Sequence, residues 1–284
     1  KINFKKIFLA HSFERVTPGD NYLDSCRNTF KVFSGINKAS EKKCHNFLKK
    51  IVNYKKYPLI KLNNITSSET CKLMENSFRA LNIAFIDEWV KFSERLNIDL
   101  FKIIQSIKMR DTHKNIMLPG IGVGGYCLTK DPLFAKISAK EIFKFKKIEF
   151  PLSTKAVSLN KRMPNTSLDF IVKNILFSLK NKKILFYGIT YKEDIGDVRY
   201  SPSIDLANKI KKFNSDVYFY DPLITSLSQK KIKYFDIYKK KMKFDIKILT
   251  VKHKEIYSNK FFRFFFRDKS IIFDLNNVLS FLSL

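Results

Sequence analysis

The sequence is poor in acid. Its 284 residues carry 26 Asp and Glu against 54 Lys and Arg, a formal net charge of +28, an excess that raises the question of nucleic acid. The lysines, however, are scattered through every segment rather than gathered on one helix or tail. Lys, Phe, Ile and Asn are abundant together, as AT-rich codons produce, and nucleic-acid binding is not expected. Cysteine is scarce too: Cys26, Cys44, Cys71 and Cys127 form no C-x-x-C pair, which excludes a zinc knuckle and a disulfide framework. Cys44 and His45 are adjacent but lack a second pair, so no metal site is expected, and thiols without a framework suggest a reducing, cytoplasmic compartment. No run of about 18 apolar residues is present, so no membrane span is expected. Lys1 follows no signal-peptide pattern, and the chain reads as part of a longer protein. At 45% hydrophobic and 14% aromatic it should fold into about two domains.

Glycine is sparse as well, with eight in all, yet four of them fall in the stretch Pro119-Gly120-Ile121-Gly122-Val123-Gly124-Gly125-Tyr126-Cys127-Leu128-Thr129-Lys130-Asp131-Pro132. Glycines let backbone N–H groups approach an anion or a sugar, and Cys127 lies where the reactive end of such a ligand could reach it. Lys130 adds positive charge near the thiol. Gly120, Gly122 and Gly125 spell G-x-G-x-x-G, but that dinucleotide fingerprint should follow a strand and open a helix, and here it follows Pro119. A binding loop with a nucleophile competes with a buried, inert cysteine.

Residues 5–10 read as a strand leading to a turn that carries Glu14, residues 29–35 and 57–61 as further strands, and residues 39–54 as a helix. From 67 to 96 the pattern is strongly helical, with Thr66, Ser67 or Ser68 as N-cap. Met74, Phe78, Leu81, Phe85, Trp89, Phe92 and Leu96 form one apolar stripe and Ile83, Ile86 and Val90 a second. Such a helix needs cover on both sides, which predicts a homodimer through this central helix. Helices are expected at 99–108, 132–142, 151–163 and, started by Pro164, at 164–180. Strands at 183–188, 216–220, 245–250 and 270–274, with a helix at 202–213, predict a parallel doubly wound sheet. The Phe261–Phe266 run suggests no function.

The glycine–cysteine stretch resembles the active-site loop of the UDP-glucose/GDP-mannose dehydrogenase family, the nucleotide-sugar 6-dehydrogenases. Three further segments, in the same order, are similar to that family: Ser12-Phe13-Glu14-Arg15-Val16-Thr17-Pro18-Gly19, the helix start from Glu69 through Lys72 and Asn76 to Ala80, and Gly188-Ile189-Thr190-Tyr191-Lys192 through Arg199 to Ser203. The resemblance implies an α/β protein: the C-terminal part of a Rossmann domain (1–62), a central all-helical dimerisation domain (63–163) and a C-terminal doubly wound UDP-sugar-binding domain (164–284). It implies NAD-dependent oxidation of the C6 alcohol of a UDP-sugar through a thioester on Cys127. Lys72, Asn76 and Asp131 would stabilise oxyanions, and Glu14 would assist hydrolysis. Arg15, Val16, Leu118, Gly120, Gly122, Gly124, Tyr191, Lys192 and Arg110 would hold substrate, with Lys130 and Arg199 near the cofactor. Thr250-Val251-Lys252-His253 resembles a family turn in which His253 is structural.

The Glu-Arg-Val-x-Pro-Gly form around Glu14 favours a UDP-N-acetylhexosamine over UDP-glucose. The other readings are a UDP-glucose 6-dehydrogenase, or a non-catalytic fragment that dimerises or binds nucleotide sugar. Two positions depart from the family: Tyr126, where relatives usually have His or Ser, and Asp274-Leu275-Asn276-Asn277, where relatives often carry an Arg. The family's N-terminal glycine-rich NAD turn has no counterpart before Glu14, so this stretch alone should hold NAD poorly.

Overall fold

The first strand forms later than its apolar run predicts. In the computed structural model, which describes residues 7–16, 19, 21–227 and 232–280, strand β1 is Ala10–Ser12; Lys5 and Lys6 of the expected strand lie outside the described residues. A short helix, α1 (Tyr22–Arg27), leads to β2 (Lys31–Gly35), every residue of which is buried. Helix α2 (Lys38–Ile51) starts where the Asn37 side chain accepts the Ser40 N–H at 2.8 Å, an N-cap that satisfies one orphan donor. Strand β3 (Leu59–Lys61) runs parallel to β2, while β1 pairs with β2 antiparallel with Ala10 opposite Gly35.

Helix α3 (Ile65–Leu96) has 32 residues and is capped by Asn64, whose Oδ1 accepts the Ser67 N–H at 2.8 Å, rather than by Thr66, Ser67 or Ser68. Chain contacts divide the molecule into two units, Lys1–Ser77 with Phe134–Ile148, and Phe78–Leu133 with Glu149–Leu284; α3 begins in one and continues in the other.

In the second unit α4 (Leu100–Lys108) is capped by Asp99, which accepts the Lys102 N–H. The helix expected at 132–142 is two pieces, α5 (Asp131–Ile137) and a π-helical turn, Ser138–Ile142. The helices expected at 151–163 and 164–180 are one, α6 (Pro151–Lys173), with Pro164 inside it. A proline there leaves the Asn160 carbonyl without its helical N–H. The glycine loop lies against this notch: a Cβ on Gly122 would sit 3.6 Å from the Asn160 carbonyl oxygen and 3.4 Å from Pro164 Cδ.

Five strands follow, β4 (Lys183–Tyr187), β5 (Asp216–Tyr220), β6 (Lys233–Tyr234), β7 (Ile246–Leu249) and β8 (Ile271–Asp274), all parallel in the order β6-β5-β4-β7-β8. Alternate residues of β4 feed two cores: Ile184 and Phe186 pack with Leu206 and Ile210 of α7 (Pro202–Lys211), while Leu185 and Tyr187 pack with Phe261 and Phe265 of α8 (Asn259–Phe265). A sheet covered on both faces explains the continuous apolar strands. Phe261, Phe264 and Phe265 of the phenylalanine run are therefore core, whereas Phe266 is exposed. Helix α8 ends over Lys247 of β7, whose buried Nζ donates to the carbonyls of Phe264 and Phe265 and to Asp268 at 3.2, 2.9 and 2.8 Å. No described helix is long and apolar enough to cross a membrane.

Candidate active site

The predicted residues fall into two groups, one in each unit. In the first unit the turn after β1 presents Glu14, half-exposed, whose carboxylate meets the Lys31 ammonium. Lys31 lies in the buried strand β2 with its side chain 3% exposed, so Glu14 is held by a cation that the strand pattern concealed. Arg15 forks onto Glu75 of α3 (Nε to Oε1 2.9 Å and to Oε2 3.1 Å), and its guanidinium lies 4.4 Å from the Phe13 ring and 4.1 Å from the Phe30 ring. Lys72 on α3 donates to the Glu14 carbonyl at 3.2 Å. Asn76, one turn on, is buried. Helical spacing thus brings Lys72 and Glu75 to the Glu14 turn. Val16 is half-buried beside them in sequence. Lys31 and Glu75 were missed from sequence; the signal was a lysine between Phe30 and Val32 in an otherwise apolar strand.

In the second unit Cys127 is exposed. Its carbonyl accepts the N–H groups of Lys130 and Asp131 at 3.2 and 2.9 Å, the turn that opens α5. Asp131 is buried at this start and binds Lys130 Nζ at 2.8 Å, and that hydrogen bond raises the Lys130 pKa. On the other side of the thiol, Gly124 lies so close to the turn after β4 that a Cβ there would be 2.4 Å from Tyr191 Cβ and 2.9 Å from the Tyr200 carbonyl oxygen. Burial raises the pKa of the Tyr191 phenol. Arg199 forks onto Asp197 (Nη2 to Oδ2 2.7 Å), which holds the Asp197 carboxyl below the usual range. The sequence thus places Gly124, Cys127, Lys130, Asp131, Tyr191 and Arg199 in one neighbourhood. Lys192 is exposed beside Tyr191, and Leu118 is exposed at the loop's entrance. Arg110 stands apart: it is exposed in the turn after α4, and none of these contacts involves it.

Two polar networks fix the loops. Asn276 accepts the Ile121 N–H on its Oδ1 at 3.1 Å and donates to the Thr250 carbonyl, tying the glycine loop to the end of β7. A Cβ on Gly120 would press on the same Oδ1 at 2.9 Å. His253, fully buried, accepts the Asp194 N–H on Nδ1 at 3.1 Å, so its Nε2 carries the hydrogen and donates to Asp221 at 3.1 Å. Asp221 in turn accepts the N–H groups of Ile189 and Thr190, which holds the turn bearing Tyr191 and Lys192. The structural role expected of His253 agrees with these contacts. Among the described residues no cluster of three His, Cys, Asp or Glu could hold a metal ion.

Comparison with known proteins gives this arrangement a family. The central domain of the UDP-glucose/GDP-mannose dehydrogenase family matches residues 66–162, and the family's UDP binding domain matches residues 185–281. The chain belongs to the UDP-glucose/GDP-mannose dehydrogenase family. It is similar to the UDP-N-acetyl-D-mannosamine dehydrogenase of Methanococcus aeolicus, at 32% identity over 77% of this chain and 47% of that protein. The Campylobacter jejuni protein of the same name is 28% identical over 88% of this chain and 59% of its own length. Among solved structures, the Pyrococcus horikoshii UDP-D-ManNAc dehydrogenase superposes with a TM-score of 0.74 at 25% identity, covering 95% of this chain and 61% of that one. The chain thus spans about half the length of the curated dehydrogenases that it matches, 47% and 48% of the first two.

Proposed function

We propose that the intact enzyme oxidises the C6 alcohol of a UDP-N-acetylhexosamine to the carboxylate through a thioester on Cys127. The observation that carries this reading is an exposed thiol between a glycine loop pressed onto Tyr191 and a helix start bearing Lys130 and Asp131. A nucleophile presented this way, with cations beside it, suits attack on an aldehyde carbon. A four-electron oxidation needs two hydride acceptors, and NAD supplies that chemistry when bound. Lys130 and Arg199, each now paired with a carboxylate, would face the diphosphate of such a cofactor. Among the described residues no glycine-rich strand-to-helix turn exists to cradle it, because G-x-G-x-x-G lies in the cysteine loop instead.

The chain's own groups divide the remaining work. Cys127 adds to the aldehyde as a thiohemiacetal and is released when water cleaves the later thioester. Lys72, Asn76 and Asp131 stabilise negative charge on oxygen, and Glu14, poised on Lys31, orients or deprotonates the attacking water. Arg15, Val16, Leu118, Gly120, Gly122, Gly124, Tyr191, Lys192 and Arg110 hold the UDP-sugar. The Glu-Arg-Val-x-Pro-Gly form around Glu14 and the names of the relatives both support an N-acetylhexosamine over glucose.

In a full-length enzyme that includes the region the longer relatives have before residue 1, Cys127→Ala should abolish acid formation, by 10³-fold or more on the order of other lost nucleophiles. Turnover of UDP-N-acetylmannosamine unchanged by that substitution, followed as NADH, refutes the nucleophile assignment. No NADH from either UDP-N-acetylmannosamine or UDP-glucose with the unmodified enzyme favours a non-catalytic nucleotide-sugar binder.

A further inference from the structure

The residue before the nucleophile is Tyr126, and its ring is the centre of a cluster that the catalytic reading leaves unexplained. Lys130 Nζ lies 4.5 Å and Arg199 Cζ 5.8 Å from the ring centroid, and the Tyr200 ring lies 6.2 Å away at 39°. Each cation has its own carboxylate, Asp131 and Asp197, so neither needs the ring for charge balance; both lie on it through cation–π attraction. Tyr200 is held at φ +53°, a left-handed conformation that costs a bulky residue energy and persists only where the surroundings enforce it. That conformation coincides with two contacts to the cysteine loop: the Tyr200 ring meets Tyr126, and the Tyr200 carbonyl closes on Gly124. Beside it, the Arg199 carbonyl accepts the Gly125 N–H at 2.9 Å.

The loop is therefore pinned on both sides of Cys127. After the thiol, the start of α5 takes the Cys127 carbonyl. Before it, the hold consists of the Gly125 hydrogen bond and the Tyr126 ring, clasped by Lys130 from the loop itself and by Arg199 and Tyr200 from the turn after β4. We infer that Tyr126 is a positioning residue: its ring, through Lys130, Arg199 and Tyr200, latches the cysteine loop to the 191–200 turn and fixes where the thiol is presented. The inference rests on the reading of Cys127 as nucleophile for its purpose, but the latch itself is measured without turnover.

The test is amide hydrogen exchange at Gly125, with iodoacetamide alkylation of all four cysteines followed by peptide mass spectrometry, on the present chain. In Tyr126→Ala the Gly125 amide should exchange about fivefold faster and the alkylation rate of Cys127 should change at least about threefold, while Cys26, Cys44 and Cys71 react at their original rates. Tyr126→Phe, which keeps the ring and loses the hydroxyl, should restore both to within about twofold. Wild-type exchange in the Ala variant, or a Phe variant that behaves like Ala, overturns the proposal. Should Ala unfold the chain, seen as faster alkylation of the three other cysteines, Tyr200→Gly removes the facing ring while suiting φ +53°. It must then accelerate exchange at Gly125 alone, and no acceleration overturns the proposal. A working latch with no acid formation by the full-length enzyme would refute the catalytic reading and leave the latch standing.

Discussion

Asp221 sits at the end of β5 with no exposed side-chain surface, an arrangement costly for a carboxylate unless every oxygen is engaged. Here the N–H groups of Ile189, Thr190 and Leu223 and the imidazole of His253 all converge on it. Burial pushes its pKa up, but the hydrogen bond from His253, with those from the Ile189 and Leu223 N–H groups, outweighs burial and holds it below the usual carboxylate range. The sign follows from linkage: a carboxyl whose folded pKa is depressed contributes stability above its unfolded pKa of about 3.9 and loses it as pH falls through the folded value. Asp221→Asn should therefore cost about 2 kcal/mol at pH 7, as losing hydrogen bonds to a buried charged group does, and should flatten the fall of the urea midpoint on acidification below about pH 4. A variant with the original stability at pH 7 and the same acid slope would show that the network is not held by charge. None of this was legible beyond the likeness of the 250–253 turn, because Asp221 and His253 are 32 residues apart and meet only when β5 and β7 flank β4.

Elements were legible where their burial was simple. Four strands of the five-strand sheet read from apolar runs because both faces of the sheet are covered, while the two-residue β6 gave no signal. α3 reads as a helix from its stripes, although the residues that pack on α6 are Ala80 and Ala84, outside both stripes. Tertiary packing concealed the rest. Pro164 looked like a helix start, yet α6 runs through it, since the glycine loop lies against the turn that the proline leaves without a hydrogen bond. α8 looked like an unassigned aromatic run. Its Ser258 N-cap, which accepts the Phe261 N–H at 3.2 Å, and its buried Phe261, Phe264 and Phe265 at helical spacing were the available signal. The first strand had a signal in the wrong place: its apolar run points to residues 5–10, whereas β1 is Ala10–Ser12. The cysteine loop was legible as a motif but not as packing: four glycines suggested room for a ligand, whereas the structure uses Gly124 to admit Tyr191 and the Tyr200 carbonyl. Gly124→Ala should thus destabilise the second unit by about 1–3 kcal/mol, the usual cost of overpacking. Guanidinium denaturation followed by Trp89 fluorescence would measure it, and an unchanged midpoint would mean that the turn yields freely.

At the scale of the molecule, α3 presents a problem that one chain leaves unsolved. Its 32 residues span about 48 Å at 1.5 Å per residue. In the second unit its small residues Ala80 and Ala84 pack on Ala156 of α6, with the buried Asn160 side chain donating to the Ala80 carbonyl at 2.9 Å. The opposite stripe is more open among the described residues: Phe78, Phe85, Trp89, Phe92 and Leu96 are each 44–54% exposed, and Trp89 packs edge-on against Phe85 and Phe92. A contiguous aromatic ridge of this length marks an interaction surface rather than ordinary exposure. We propose that it is covered by the same ridge of a second copy, because a helix can face its own two-fold mate with every apolar residue used twice. Charge supports the choice of ridge over rim: on a chain of net charge +28 two copies repel, so they should meet where lysines are few, and residues 73–90 contain none. Trp89→Glu, replacing the central aromatic with a charge, should weaken association by at least about 30-fold, the scale of a buried hot spot. Sedimentation equilibrium at micromolar concentration should then give a dimer for the unmodified chain and a monomer for the variant. A monomeric unmodified full-length protein, or a variant that remains dimeric, would remove the ridge as the dimer interface.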